Sequence, residues 1–284
     1  MKLVTFSARE DARTGLLQGE RVVDLHAADP ALPSGMISLI ADWRKFAPRV
    51  AQLPASAPSH ALKDVRLLPP IPRPGKILAI GLNYADHVAE TGRETPKHQT
   101  WFCKMPTAAN GPFDPIDAPK VSSELDYEAE LVVIIGQRGR HVAESAAGEM
   151  IFGYCVGNDV SVRDWQWRTP QWMIGKSFDT HAPFGPAITT ADEVGAKPEL
   201  SIRAIVNGET RQDSNTKHLI FSVPAMIAHL TAVMTLEPGD IIFTGTPSGV
   251  GAMRKPPLWL KAGDVARIEI EKLGAIENKV RAEP

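Results

Sequence analysis

Glu128 and Glu130 lie one residue apart inside Leu125-Asp-Tyr-Glu-Ala-Glu-Leu-Val-Val-Ile-Ile135, a stretch whose second half is as apolar as any in the chain. Side chains alternate along a strand, so both carboxylates face the side that carries Val132 and Ile134. Two like charges against apolar neighbours repel each other and lose hydration, at a cost of several kcal/mol if nothing compensates them. A hard divalent cation is the simplest compensator, since it takes carboxylate oxygens and keeps some of its water for chemistry. A third acid, Asp159, follows the apolar run Ile151 to Val156 and Gly157, which places it at a strand end, where functional residues commonly sit. Glu128, Glu130 and Asp159 together make an oxygen-only ligand set suited to magnesium, with manganese as the alternative, and not to zinc. The ordinary structural reading is that the glutamates pair with Arg138, Arg140 or Arg163.

Three further groups carry chemistry. In Gly81-Leu-Asn-Tyr-Ala-Asp-His-Val-Ala-Glu-Thr-Gly92, His87 and Glu90 are three residues apart, so one helical turn brings them together. A carboxylate beside an imidazole makes a base able to activate water near neutral pH. An exposed polar helix start would show the same residues. In Trp165-Gln-Trp-Arg-Thr-Pro-Gln-Trp-Met-Ile-Gly-Lys-Ser-Phe-Asp-Thr180, Lys176 follows Gly175 in a tryptophan-rich loop, where it can bind a carboxylate or enolate and donate a proton. Its commoner fate is a surface lysine with a buried stem. Phe243-Thr-Gly-Thr-Pro-Ser-Gly-Val-Gly251 is a strand followed by a glycine-rich loop without the Gly-Lys-Ser/Thr ending of a phosphate loop, so its N–H groups and the Thr246 hydroxyl are candidates for a substrate carboxylate.

The elements that must position these groups are mostly strands. Lys2 to Phe6, Thr14 to Leu17 and Arg21 to Leu25 read as a small β-rich unit with a turn at Gln18-Gly19, and a helix is predicted from Ile37 to Phe46. The proline-dense stretch 54–74 marks a boundary, giving a small N-terminal α+β domain over 1–72 and a catalytic domain over 73–284. Beyond it, strands are predicted at Ile77 to Ile80, Leu131 to Ile135, Ile151 to Val156, Ala187 to Thr189, Ser201 to Val206, Ile241 to Thr244 and Val265 to Glu271. One helix is expected from Ser222 to Thr235, capped by Ser222 and with Pro224 in its first turn; His229 on it is read as an ordinary packed or solvated histidine. The class is therefore mainly β with some α.

At 284 residues the chain has room for a large core, and its net charge of −2, with signs interspersed, predicts neither a nucleic-acid nor an anionic-membrane partner. A small-molecule partner is expected. There is no charged-then-apolar leader and no apolar run near the roughly 20 residues of a membrane helix, so a soluble cytoplasmic protein is expected. Cys103 and Cys155 are too few for a disulfide framework and are read as reduced.

The order Asn83-Tyr-Ala-Asp-His87, Asp126-Tyr-Glu-Ala-Glu-Leu131, Gly157-Asn-Asp-Val-Ser161 with Arg163-Asp-Trp-Gln166, Gly175-Lys-Ser-Phe-Asp179, Val206-Asn-Gly-Glu209 and Thr244-Gly-Thr-Pro247 resembles the fumarylacetoacetate hydrolase family over residues 73–281. Arg254-Lys-Pro-Pro257 and the tryptophan-rich loop look like the branch containing 2,4-diketo-3-deoxy sugar-acid hydrolases, a look that human mitochondrial members share. The resemblance implies a mixed β-sandwich roll, a homodimer, and magnesium held by Glu128, Glu130 and Asp159. It implies that His87 and Glu90 lie on a lid and activate water, and that Arg163, Gln166, Lys176 and Thr246 hold the oxygens of an α-keto acid. The chain departs at Lys104-Met-Pro-Thr107, where many members have Lys-Pro-Pro-Ser. The expected activity is metal-dependent hydrolysis of a carbon–carbon bond in a 2,4-diketo acid to pyruvate and a second acid. The alternatives are an oxaloacetate-type decarboxylase or tautomerase, a ureidoglycolate lyase, and, in another class, a non-catalytic metal- or ligand-binding protein.

Overall fold

Apart from Glu130, the run Ala129–Ile135 is apolar on both faces, a pattern expected of a strand covered on both sides. In the computed structural model, which describes residues 1–8, 11–92 and 94–284, all seven of its residues are buried. Leu131, Val133 and Ile135 enter one core, with the helix Val223–Val233 and the inward residues of a second sheet. Val132 and Ile134 enter another, with Leu3, Leu16, Val23 and the helices Met36–Ala41 and Trp43–Ala51. The strand thus forms the partition between two cores, and its termini are where polar residues can emerge.

The main sheet runs in space through Ser59–Ala61, Arg21–Asp24, Ala12–Gln18, Lys2–Ser7, Ala182–Thr190, Ile151–Asn158, Ala129–Ile135, Ile241–Phe243, Ile77–Gly81 and Thr100–Lys104. Neighbours along this path are antiparallel except Ile241–Phe243 beside Ile77–Gly81. A five-stranded sheet contains Glu209–Asn215, Ser201–Val206, Val265–Ile270, Gly274–Ala282 and Ile116–Ala118. The segment before residue 73 joins the main sheet directly, with Lys2 opposite Thr189 and Leu3 opposite Ile188, and the proline-rich stretch packs inward at Ile71. The mainly β class is as the sequence predicts.

The Ser222 cap holds, its hydroxyl accepting the Ala225 N–H at 3.3 Å. The helix predicted as one piece from Ile37 to Phe46 is two, broken at Asp42 (φ −114°, ψ 30°), and the break seats Trp43 edge-on against Phe152 at 5.3 Å. Among the strands that lay outside the sequence reading, the longest are Thr100–Lys104, Glu209–Asn215 and Gly274–Ala282. No helix among the described residues is long and apolar enough to cross a membrane.

Candidate active site

Strand pairing brings the three acids together. Ala129 lies opposite Asn158 and Glu130 opposite Gly157, so Glu128 and Asp159 sit at adjoining strand ends, tied by the Asp159 N–H donating to the Glu128 carbonyl at 2.9 Å. The Asn158 side-chain oxygen accepts the Glu128 N–H at 2.9 Å and fixes that turn. Glu128, Glu130 and Asp159 are all buried, and an oxygen from each lies within 4.8 Å of the others.

Cations surround this cluster, as the structural reading of the glutamates required in part. Lys176 Nζ donates to Glu128 Oε2 and to Asp159 Oδ2, each at 2.7 Å. Arg163 lies 2.7 Å from Glu128 Oε1 and 2.8 Å from Asp126 Oδ2, and Lys104 Nζ lies 2.5 Å from Asp159 Oδ1. Arg138 and Arg140 are elsewhere, the first beside Glu237 and the second on the Thr231 and Ala232 carbonyls. Burial works to raise the Glu128 carboxyl, but the charges of Lys176 and Arg163 overcome it and hold the group at about 2. Burial works to lower Lys176, and Asp159 and Glu128 more than reverse it, so the ammonium keeps its proton.

Glu130 is the exception. It accepts the Gly245 N–H at 2.8 Å and forms no ion pair among the described residues. Burial, then the charges of Asp159 and Glu128, push its carboxyl well above the ordinary range. Four buried acids, Asp126 included, face three buried cations. A cluster of carboxylate oxygens holding one charge too many is the donor set a hard dication needs, and the residues present fit one.

His87 and Glu90 lie on the helix Ala85–Thr91, with His87 Nδ1 3.1 Å from Glu90 Oε2. Two contacts hold this helix over the site: Glu90 Oε1 accepts the Gly249 N–H at 3.0 Å, and Asp86 Oδ2 accepts the Ser214 hydroxyl at 2.7 Å. Gly249 has φ +98°, and a Cβ there would lie 2.1 Å from the Arg211 carbonyl oxygen, so glycine is required for the loop to present that N–H. His87, Arg163, Gln166, Lys176 and Thr246 line a cavity of about 190 Å³ together with Glu128 and Glu130. Asp159 is not part of that lining and is bonded by Lys176, which is. Gln166 Oε1 accepts from Arg163 at 2.9 Å, and Thr246 Oγ1 accepts from Gln212 at 2.8 Å. A wider cleft of about 600 Å³ near Trp43 and Phe152 shares no residue with it.

Lys176 is 2% exposed, so the surface-lysine reading does not hold. Lys104, Asp126, Asn158 and Gln212 hold site residues in place, a role the sequence reading assigned to none of them. Asp126 accepts the Gly251 and Ala252 N–H groups at 2.7 and 2.9 Å while it holds Arg163. Its place two residues before Glu128 was a usable signal, since strand alternation puts it on the same side.

A family model for the fumarylacetoacetate hydrolase C-terminal region matches residues 76–281. The chain is 44% identical over 288 residues to a mitochondrial oxaloacetate tautomerase of Xenopus laevis, covering 99% of this chain and 90% of the relative. Its identity to the corresponding tautomerase of Rattus norvegicus is 43% over 287 residues, covering 99% and 91%. Among solved structures, maleylpyruvate hydrolase from Sphingobium sp. SYK-6 in complex with manganese(II) and pyruvate is similar with a TM-score of 0.84 at 35% identity, with 100% of each chain covered. By the extent of the matched region and by these full-length likenesses, the chain belongs to the fumarylacetoacetate hydrolase family.

Proposed function

We propose that the protein is a divalent-cation-dependent enzyme that interconverts the enol and keto forms of oxaloacetate. The observation that carries this reading is 44% identity over 99% of the chain to an oxaloacetate tautomerase, and the site's chemistry agrees with it. Magnesium or manganese held by Glu128, Glu130 and Asp159 would supply Lewis acidity that favours an enolate. Lys176 and Arg163 stand as fixed positive charges against negative charge developing on the substrate oxygens, and Gln166 and Thr246 orient those oxygens. In ketonisation an enol O–H bond breaks and a C3–H bond forms. His87, oriented by Glu90, delivers the proton to C3 and is recharged by the proton released from the enol oxygen, so no co-reactant is consumed.

Hydrolysis of a carbon–carbon bond in an acylpyruvate is the second reading, favoured by the likeness to maleylpyruvate hydrolase. There His87 would take a proton from water instead. The two separate cleanly by assay. Enol-oxaloacetate decay is followed by ultraviolet absorbance with magnesium or manganese, beside pyruvate release from a panel of acylpyruvates. Metal-dependent acceleration of enol decay, with oxaloacetate left intact and a loss of roughly 100-fold in His87→Ala, is expected. Rapid pyruvate release from an acylpyruvate with slow ketonisation would overturn the tautomerase reading in favour of hydrolysis, and pyruvate release from oxaloacetate itself would mark a decarboxylase.

A further inference from the structure

The cavity mixes two kinds of lining. Glu128, Glu130, Arg163 and Lys176 are charged and able to grip the head of an oxo acid, while Ile80, Phe102, Trp172, Val250 and Met253 are apolar. Lys176 Nζ lies 5.0 Å from the centre of the Phe102 ring, so apolar wall begins right beside the gripping charge. Trp172 is pressed onto the backbone there: a Cβ at Gly81 would lie 2.3 Å from Cζ3 and 2.9 Å from Cη2 of the indole, so only glycine admits the ring in this position. Phe102 packs beside it, with ring centroids 5.7 Å apart and planes tilted by 58°. Gly81 and Phe102 belong to paired strands, so the indole rests on one face of the sheet end and cannot move further towards it. The next residue, Leu82, carries φ 57°, a backbone state disfavoured for leucine, which fixes the turn leaving that wall. Trp172 directly precedes the helix Met173–Lys176, so the wall and the Lys176 ammonium are set by one short segment.

At about 190 Å³, the cavity is smaller than the roughly 300–1,000 Å³ of sites that take larger ligands. We propose that Trp172, seated on Gly81 beside Phe102, is the residue that limits ligand length, restricting the site to short-chain oxo acids. The inference rests on the proposed reading for the oxo-acid head and adds which residue sets the size limit.

The test uses calorimetric binding of pyruvate, 2-oxobutyrate and phenylpyruvate to the manganese-loaded protein, with Trp172→Phe, Trp172→Leu and Trp172→Ala beside the wild type and enol-oxaloacetate ketonisation measured in parallel. Wild type is expected to bind pyruvate at least tenfold more tightly than phenylpyruvate. That preference should shrink stepwise with side-chain volume and fall at least tenfold in Trp172→Ala. A wild type that binds phenylpyruvate as well as pyruvate, or binds neither acid, overturns the proposal, as does a preference unchanged across the variants. A shifting preference without oxaloacetate ketonisation by the wild type leaves the size limit standing and removes the tautomerase reading. Normal ketonisation with an unchanged preference does the reverse.

Discussion

Glu130 carries the least compensated charge in the site. Glu128 and Asp159 share Lys176 and have Arg163 and Lys104 beside them, while Glu130 receives one backbone N–H. A buried acid without a cation costs stability, and one that binds a dication returns it on binding. Glu130→Gln removes the excess charge and a ligand oxygen together, which gives two opposed readouts. In chelator the variant should melt a few degrees above the wild type, since a gain of about 1 kcal/mol moves a chain of this size by roughly 2–4 °C. With magnesium or manganese at about 100 times the wild-type Kd, the wild type should gain about 2.7 kcal/mol and the variant almost none. Thermal melts with and without metal check both, and an undiminished metal response in the variant would remove Glu130 from the ligand set. The three acids were legible because strand alternation and a strand end are local properties of sequence. Lys104 was not, because its contact with Asp159 depends on the Thr100–Lys104 strand lying beside Ile77–Gly81, a pairing no local pattern states.

The helix Ala85–Thr91 has seven residues, too few to be stable alone. It stands over the cavity because Asp86 is held by Ser214 and Glu90 by Gly249. The spacing of His87 and Glu90 gave away the pair, but nothing local could reveal these latches. Ser214 lies in Glu209–Asn215, a strand with no apolar residue at all, whose register comes from Ser201–Val206 beside it. Ser214→Ala should therefore loosen the helix without touching the reacting groups. The lost bond to a carboxylate contributes about 1.5–3 kcal/mol, so KM for the enol substrate should rise about tenfold or more, with kcat changed far less. Amide exchange across residues 85–92 should quicken in the same variant. An equal fall in kcat with unaltered exchange would mean that Ser214 acts on the chemistry and not on the lid.

Across the whole molecule, one sheet serves two cores, and the cost of that arrangement is polar groups sealed within it. His181 is the clearest case. It enters the strand Ala182–Thr190 fully buried, stacked on Phe178 at 5.4 Å, with Nε2 donating to the Asp117 carbonyl at 2.8 Å and Nδ1 without a hydrogen-bond partner. A second proton would place a charge on Nδ1 with nothing to receive it. Burial lowers the group from 6.5 to about 4; the Asp117 contacts oppose that shift and the Lys104 charge adds to it. The folded state therefore stays neutral where the unfolded chain takes up a proton. Stability from this group is complete above pH 6.5 and is lost as pH falls towards 4. The linkage amounts to about 2 kcal/mol by pH 5 and about 3 kcal/mol at full shift. His181→Gln keeps a donor for the Asp117 carbonyl and has no proton to gain. Whatever its stability at pH 7, it should lose about 2 kcal/mol less than the wild type between pH 7 and pH 5 in urea unfolding. Parallel losses in the two proteins would show that His181 is not the acid-sensitive group.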